Sequence, residues 1–85
     1  MLNVAFVSKA FDDYNEWAET DKQVFKRLVA IISDCQRSPF KGIGKPEPLK
    51  HQMKGCWSRR ITGEHRLVYQ VTSDYLIIIS CKYHY

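Results

Sequence analysis

Hydrophobic positions in the first part of the chain recur with two different spacings. Residues 2–7, LNVAFV, are a short apolar run that predicts a β-strand. From Ser8, a possible helix N-cap, the apolar residues return every three or four positions, as they do on one face of a helix. We therefore expect a first helix that packs this face against the core. The predicted face consists of Ala10, Phe11, Tyr14, Trp17 and Ala18.

A second helix is predicted to begin within TDKQ, residues 20–23. Thr20 and the glutamine three residues later have the spacing of a capping box, in which each side chain bonds the backbone of the other residue. The helix should end at about Arg37, because the proline after Ser38 disfavours helical backbone at the residue before it. Its buried stripe is predicted to consist of Val24, Leu28, Ile31, Ile32 and Cys35.

Residues 39–55, PFKGIGKPEPLKHQMKG, separate these helices from the rest of the chain. The segment holds all three prolines and three of the four glycines, which predicts a long loop. Loops of this length in small domains are usually functional or disordered. Pro46 and Pro48 flank Glu47 and restrict the backbone to an extended form, which argues against disorder. A stiff loop that carries a carboxylate is therefore expected here.

After the loop, apolar and polar positions alternate with a period of two. Gly63 and the pair at 73–74 mark short turns, so the strands between them should form an antiparallel meander. By alternation Arg66 should lie on the open face of its strand, and Arg60 should point away from Arg59 and Ile61. The residues expected under the helices are Leu67, Tyr69 and Val71. The three predicted strands are CWSRRIT, HRLVYQV and YLIIISCKYHY.

These elements predict one small α+β domain covering residues 1–85. Its N-terminal strand and two helices would pack on one face of a mainly antiparallel sheet, which the N-terminal strand would join. We expect no membrane segment, because no apolar run approaches the roughly 20 residues that span a bilayer, and no signal peptide, because no basic leader is present. Three cysteines without a CxxC pair predict reduced thiols, a cytoplasmic location and no metal site.

The net charge of +4 is concentrated in the second half of the chain. Residues 41–85 carry eight Lys and Arg against three Asp and Glu, whereas residues 1–40 are slightly acidic. A basic region with interleaved aromatic residues suggests a polyanionic partner, most simply nucleic acid, although a solvated basic face would have the same composition. The chain ends in CKYHY, which adds a histidine and two tyrosines to this region.

Glu47, Arg66 and His84 are the types of residue that metal-free RNA cleavage requires. A general base removes the proton of a ribose 2′-OH, the oxygen attacks the neighbouring phosphorus, and a general acid protonates the leaving 5′-oxygen. Arginine can bind two phosphoryl oxygens, and histidine can carry a proton near neutral pH. Taken alone, a terminal histidine and a loop glutamate are more often solvated surface residues, so composition leaves both explanations open.

The chain closely resembles the YoeB/Txe-type toxins of bacterial toxin–antitoxin systems, within the RelE superfamily. The resemblance is carried by GKPEPLK, WSRRI, EHRLVY and the terminal Tyr-His-Tyr, and FDDYNEWAETDK in the helical half also fits it. It implies a RelE-like microbial ribonuclease fold. It also implies a ribosome-dependent, metal-independent endoribonuclease that cuts messenger RNA in the ribosomal A site and inhibits translation.

The resemblance implies roles for individual residues. Glu47 would be the general base, His84 the general acid, and Arg66 the residue that stabilises the transition state. Further side chains would bind RNA and its phosphates: Lys45, Lys50, Arg59, Arg60 and Tyr85. No cofactor or metal is expected.

The expected partners also follow from the resemblance: a cognate antitoxin protein, the ribosome with its ribosomal RNA, messenger RNA and a second copy of the chain as a homodimer. The expected location is the bacterial cytoplasm. Two alternatives remain at this point. A non-catalytic module could inhibit translation by occupying the ribosome, or a relative of the same fold could poison DNA gyrase without cutting RNA.

Overall fold

A computed structural model describes residues 1–83 of the chain. Its first half contains one strand and two helices: β1 Asn3–Phe6, α1 Ser8–Thr20 and α2 Lys22–Arg37. Its second half contains four strands: β2 Glu47–Pro48, β3 Trp57–Arg60, β4 Arg66–Val71 and β5 Tyr75–Ser80. None of the helices in residues 1–83 has the length and apolarity needed to cross a membrane. The predicted α+β class is confirmed.

The five strands form one sheet in the order β1-β5-β4-β3-β2. Strand β1 runs parallel to β5, and the other three pairings are antiparallel. The expectation that the N-terminal strand joins the sheet is therefore confirmed. Strand β2 was not predicted, because its two residues lie in a segment whose prolines and glycines indicate a loop.

The core lies between the two helices and one face of the sheet. The predicted stripe of α2 is buried at Leu28, Ile31, Ile32 and Cys35. On α1 the prediction is wrong at Phe11, which is 50% exposed and packs edge-on against Phe6 of β1, at the edge of the sheet. The sheet contributes Leu67, Tyr69, Leu76, Ile78 and Cys81 to the same cluster.

Both predicted helix caps are wrong. Ser8 is the first helical residue of α1, and Val7 before it makes no side-chain capping bond. The cap of α2 is Asp21, whose carboxylate accepts the backbone N–H of Val24 at 3.2 Å. Thr20 belongs to α1 and donates its hydroxyl to the carbonyl of Glu16 instead. A carboxylate is favoured at this end of a helix because it also interacts with the positive end of the helix dipole.

A β-bulge changes which residues of β5 face the core. The pairing of β4 and β5 shifts between Val68 and Tyr69, after which Cys81 instead of Ser80 is buried. The predicted open face is also covered at Val68, which is fully buried outside the main core cluster. Strand β5 ends at Ser80, earlier than predicted.

Candidate active site

Glu47 and Arg66 form an ion pair on the face of the sheet opposite the helices. Strand β2 holds Glu47 in register with Ser58 of β3, and Arg66 begins β4. Arg66 Nη1 donates to Glu47 Oε1 at 3.2 Å. The Glu47 side chain is 54% exposed and that of Arg66 is 17% exposed, so the carboxylate is open to an incoming ligand while most of the Arg66 side chain is covered. The two residues are 19 positions apart, and their contact depends on the pairing of three strands.

Three of the predicted phosphate-binding cations lie exposed around this pair. Arg60 is the register partner of Arg66 on the neighbouring strand, and its backbone N–H donates to the carbonyl of Gly44 at 2.7 Å. This bond anchors the loop next to Lys45, whose φ of 53° is in the left-handed region. Lys50 is exposed directly before a short 3₁₀ helix at 51–53. The loop thus carries two exposed lysines within three residues of Glu47.

Arg59 corrects the expectation that its guanidinium binds RNA. The side chain is fully buried and points to the helical side of the sheet. Its five N–H donors are matched by five acceptors, because Nε donates to the Tyr69 hydroxyl at 3.3 Å and the two terminal nitrogens make four further bonds. These four acceptors are Asp34 Oδ2 and the carbonyls of Ser38, Lys41 and Ile43. Arg59 therefore holds α2, the loop and β4 together.

Ser58 lies between Glu47 and Val68 in the register of the three strands. Its Oγ is fully buried and has no hydrogen-bond partner among residues 1–83. A buried hydroxyl without a partner costs free energy, and this one lies on the strand between those of Glu47 and Arg66.

The last described residues approach this site from β5. Trp17 Nε1 donates to the carbonyl of Cys81 at 2.9 Å, and the backbone N–H of Tyr83 donates to His65 Nδ1 at 2.7 Å. The backbone N–H of Arg66 donates to the carbonyl of Tyr83 at 3.1 Å. The predicted general acid His84 and the predicted stacking residue Tyr85 lie outside the described residues.

The described site can hold a phosphate and accept a proton. The Arg66 guanidinium and the surrounding cations provide donors for phosphoryl oxygens, and Glu47 provides an exposed carboxylate beside them. The two buried thiols are poor nucleophiles, because burial raises the pKa of Cys35 and raises the pKa of Cys81 to about 12. Within residues 1–83, no group of three or more His, Cys, Asp or Glu side chains is arranged to hold a metal ion.

Two contacts near the site could not be found from the sequence. The Nδ1 atom of His65 accepts the backbone N–H of Tyr83, 18 residues away. Trp17 was expected to pack against the core, and in addition its indole N–H donates to the carbonyl of Cys81, 64 residues away. Contacts between residues so far apart in sequence produce no periodic pattern from which they could be predicted.

Comparison with known proteins gives one consistent family. The family model described as "YoeB-like toxin of bacterial type II toxin-antitoxin system" matches residues 6–85. The toxin YoeB of Escherichia coli O6:H1 is 55% identical over 84 residues, which cover 99% of this chain and 100% of that protein. These matches include the helical half and the basic half together.

Solved structures agree with this similarity. A YoeB/ParE toxin from Agrobacterium tumefaciens superposes with a TM-score of 0.95 at 43% identity, covering 99% of this chain and 100% of that one. A heterotetrameric YoeB-YefM toxin-antitoxin complex from Staphylococcus aureus matches with a TM-score of 0.91 at 44% identity, covering 100% and 99%. A YoeB dimer from the same species also matches with a TM-score of 0.91, at 45% identity over 99% and 98%.

Proposed function

The chain belongs to the YoeB-like toxins of bacterial type II toxin–antitoxin systems, and on that basis we propose that it is an endoribonuclease. Its substrate is messenger RNA in the ribosomal A site, and cleavage there inhibits translation. The observation that carries the proposal is the contact between the exposed Glu47 carboxylate and the Arg66 guanidinium on a basic face.

In the proposed reaction, Glu47 is the general base. It removes the proton of the 2′-OH, and the resulting oxygen attacks the adjacent phosphorus. Arg66 exchanges its single contact with Glu47 for the phosphoryl oxygens, where negative charge develops in the transition state. His84 serves as the general acid that protonates the leaving 5′-oxygen, so that a 2′,3′-cyclic phosphate and a 5′-hydroxyl result. No metal takes part in this scheme.

The surrounding side chains bind the RNA. Lys45, Lys50 and Arg60 are exposed around the ion pair and hold the flanking phosphates. Tyr85 stacks on a base, a contact worth about 1–3 kcal/mol. Arg59 does not bind RNA in this scheme, because all the N–H donors of its guanidinium already have hydrogen-bond acceptors inside the protein.

The proposed partners are a cognate antitoxin, the ribosome and a second copy of the chain. The similar Staphylococcus aureus toxin has been solved both with YefM and as a dimer, which supports the first and the third. The ribosome and its messenger RNA follow from the proposed activity, which takes place in the bacterial cytoplasm.

The proposed activity is tested with purified toxin and ribosomes programmed with one defined message, with EDTA present. We expect cuts within the A-site codon that leave a 2′,3′-cyclic or 3′-phosphate and a 5′-hydroxyl. Ends with a 3′-hydroxyl would contradict the mechanism. Ribosome binding without any cut would favour a non-catalytic translation inhibitor, and inhibition of DNA gyrase in a parallel assay would favour a gyrase poison.

Variants separate chemistry from binding in the same assay. Glu47→Gln should lower the cleavage rate on the order of 10²–10⁴-fold, because the amide cannot accept the proton. Arg66→Ala should lower it by about 10²–10³-fold. Glu19→Gln and Arg27→Ala change exposed residues of the same types on the helices and should keep the wild-type rate. Equal rates for Glu47→Gln and Glu19→Gln would refute the role of Glu47.

A further inference from the structure

His65 occupies the turn directly before β4 and is nearly buried, with 8% of its surface exposed. Its ring packs edge-on against Trp17, with the ring centres 4.8 Å apart, and lies 5.3 Å from the ring of Tyr83. The imidazole thus fills the space between α1 and the chain that follows β5. Nothing in the proposed chemistry uses this side chain.

The backbone of His65 is fixed on both sides. Its N–H donates to the Thr62 hydroxyl at 3.0 Å, and its carbonyl accepts the N–H groups of Ile61 and Thr62 at 3.0 and 3.1 Å. The imidazole is therefore attached to a rigid turn. Because Nδ1 accepts the Tyr83 N–H at 2.7 Å, the ring proton lies on Nε2, 3.6 Å from Glu64 Oε1.

Residues 81–83 lie beyond the end of β5, where strand pairing no longer provides backbone hydrogen bonds. His65 provides a hydrogen-bond partner there instead. The Tyr83 N–H binds the imidazole, and the Tyr83 carbonyl accepts the N–H of Arg66 at 3.1 Å. Tyr83 has a φ of 60°, a conformation that residues with side chains adopt rarely and keep only where the surroundings hold them. The two bonds to 65–66 are such a constraint.

The same dipeptide connects the two parts of the site. Arg66 carries the guanidinium that binds Glu47, while its own backbone and the His65 ring hold Tyr83. We propose that His65 is a positioning residue, which fixes the backbone from which the chain continues to His84 relative to the Glu47–Arg66 pair. The inference rests on the proposed function.

A packing role and a positioning role make different demands on the side chain. Packing against Trp17 requires volume, whereas positioning requires a hydrogen-bond acceptor at the location of Nδ1. Asparagine carries its amide oxygen close to that location, and glutamine extends its amide towards the location of Nε2. The pair His65→Asn and His65→Gln therefore changes the place of the acceptor while both side chains stay polar and uncharged.

The test combines cleavage on programmed ribosomes with amide hydrogen exchange. His65→Ala and His65→Gln should lower the cleavage rate at saturating ribosomes by about 10–100-fold, as misplacement by about 1 Å does. Ribosome affinity should stay near the wild-type value, and the Tyr83 amide should lose its protection. His65→Asn should keep both rate and protection close to wild type. Ile31→Val, in the core away from this segment, controls for a general loss of stability and should keep the rate.

The possible results distinguish the positioning role of His65 from the proposed endoribonuclease function. If the wild type cuts and His65→Gln cuts equally fast, His65 does not position the site, while the proposed function stands. If His65→Asn is as slow as His65→Gln, the acceptor at Nδ1 is irrelevant and the inference is overturned. If His65→Ala does not fold, the comparison of cleavage rates between His65→Asn and His65→Gln still tests the positioning role. If the wild type cuts nothing, the proposed function fails and the role in catalysis falls with it.

Discussion

Arg59 and Arg60 are neighbours in strand β3, but Arg59 is buried and Arg60 is exposed. Alternation sends Arg60 to the exposed basic face and Arg59 into the protein, where five acceptors match its five donors. A buried charge is tolerated only when it is paired and hydrogen-bonded, as it is here with Asp34 at 2.7 Å. The same residue type is therefore part of the fold at one position and part of the surface at the next.

Replacing each arginine with methionine should separate the two roles. Arg59→Met removes the guanidinium that donates to Asp34 and to three carbonyls, and should cost about 3–5 kcal/mol of unfolding free energy or prevent folding. Arg60→Met should change stability by no more than about 0.5 kcal/mol while weakening RNA binding. Urea unfolding measures the first effect. Similar stability losses for both variants would contradict the assignment of Arg59 to the interior.

At the scale of elements, the loop at 39–55 is held by β3 and not only by its prolines. The carbonyl of Gly44 accepts the Arg60 N–H at 2.7 Å, and three residues later Glu47 pairs with Ser58. Gly44 has a φ of 81°, and a Cβ there would come within 3.0 Å of the Arg60 carbonyl oxygen. The close approach that anchors the loop thus requires glycine at this position.

Glycine substitutions test this anchor. Gly44→Ala combines backbone strain with contact against β3, so it should cost about 1–3 kcal/mol of unfolding free energy and move Glu47. The matched control is Gly63→Ala, because a Cβ there would meet no heavy atom within 4 Å in the described part of the chain. It should be neutral or stabilising by up to about 1 kcal/mol. Thermal unfolding compares them, and equal melting temperatures would refute the anchor.

At the scale of the whole molecule, Asp34 joins parts that are distant in sequence. Its Oδ2 accepts from Arg59 Nη1 at 2.7 Å and from the Ile43 N–H at 3.1 Å, so one carboxylate on α2 binds both β3 and the loop. The hydrogen bond from Arg59, followed by that from Ile43, lowers the pKa of Asp34 below its ordinary value of 3.8. The free energy of unfolding of the protein therefore depends on pH through Asp34.

The direction of this linkage is fixed by the lowered pKa. Asp34 binds its proton more readily in the unfolded chain than in the folded protein. Its contribution to the free energy of unfolding is therefore complete above about pH 4 and is lost as the pH falls through the folded-state pKa. Asp34→Asn keeps an oxygen acceptor but removes the charge. The difference in unfolding free energy between wild type and Asp34→Asn should therefore shrink as the pH is lowered from 5 to 2. Urea titrations at each pH measure it, and a constant difference would contradict the linkage.

Local patterns in the sequence determined much of this protein. Helical and alternating periods predicted α1, α2 and the three antiparallel strands, and the paired prolines predicted a stiff segment around Glu47. These features follow from side-chain spacing and backbone restriction within a few residues. The family resemblance implied roles for Glu47 and Arg66, which remain predictions, and the structure places the two side chains in contact.

Only the tertiary structure decided which polar side chains serve the interior and how the site is held. Arg59 is buried because α2 and the loop bring carbonyls and a carboxylate around it, and His65 meets Tyr83 because the chain leaves β5 beside the turn before β4. The bulge that sends Cys81 instead of Ser80 into the core is likewise a property of strand pairing. Such contacts join residues far apart in sequence, and no local period records them.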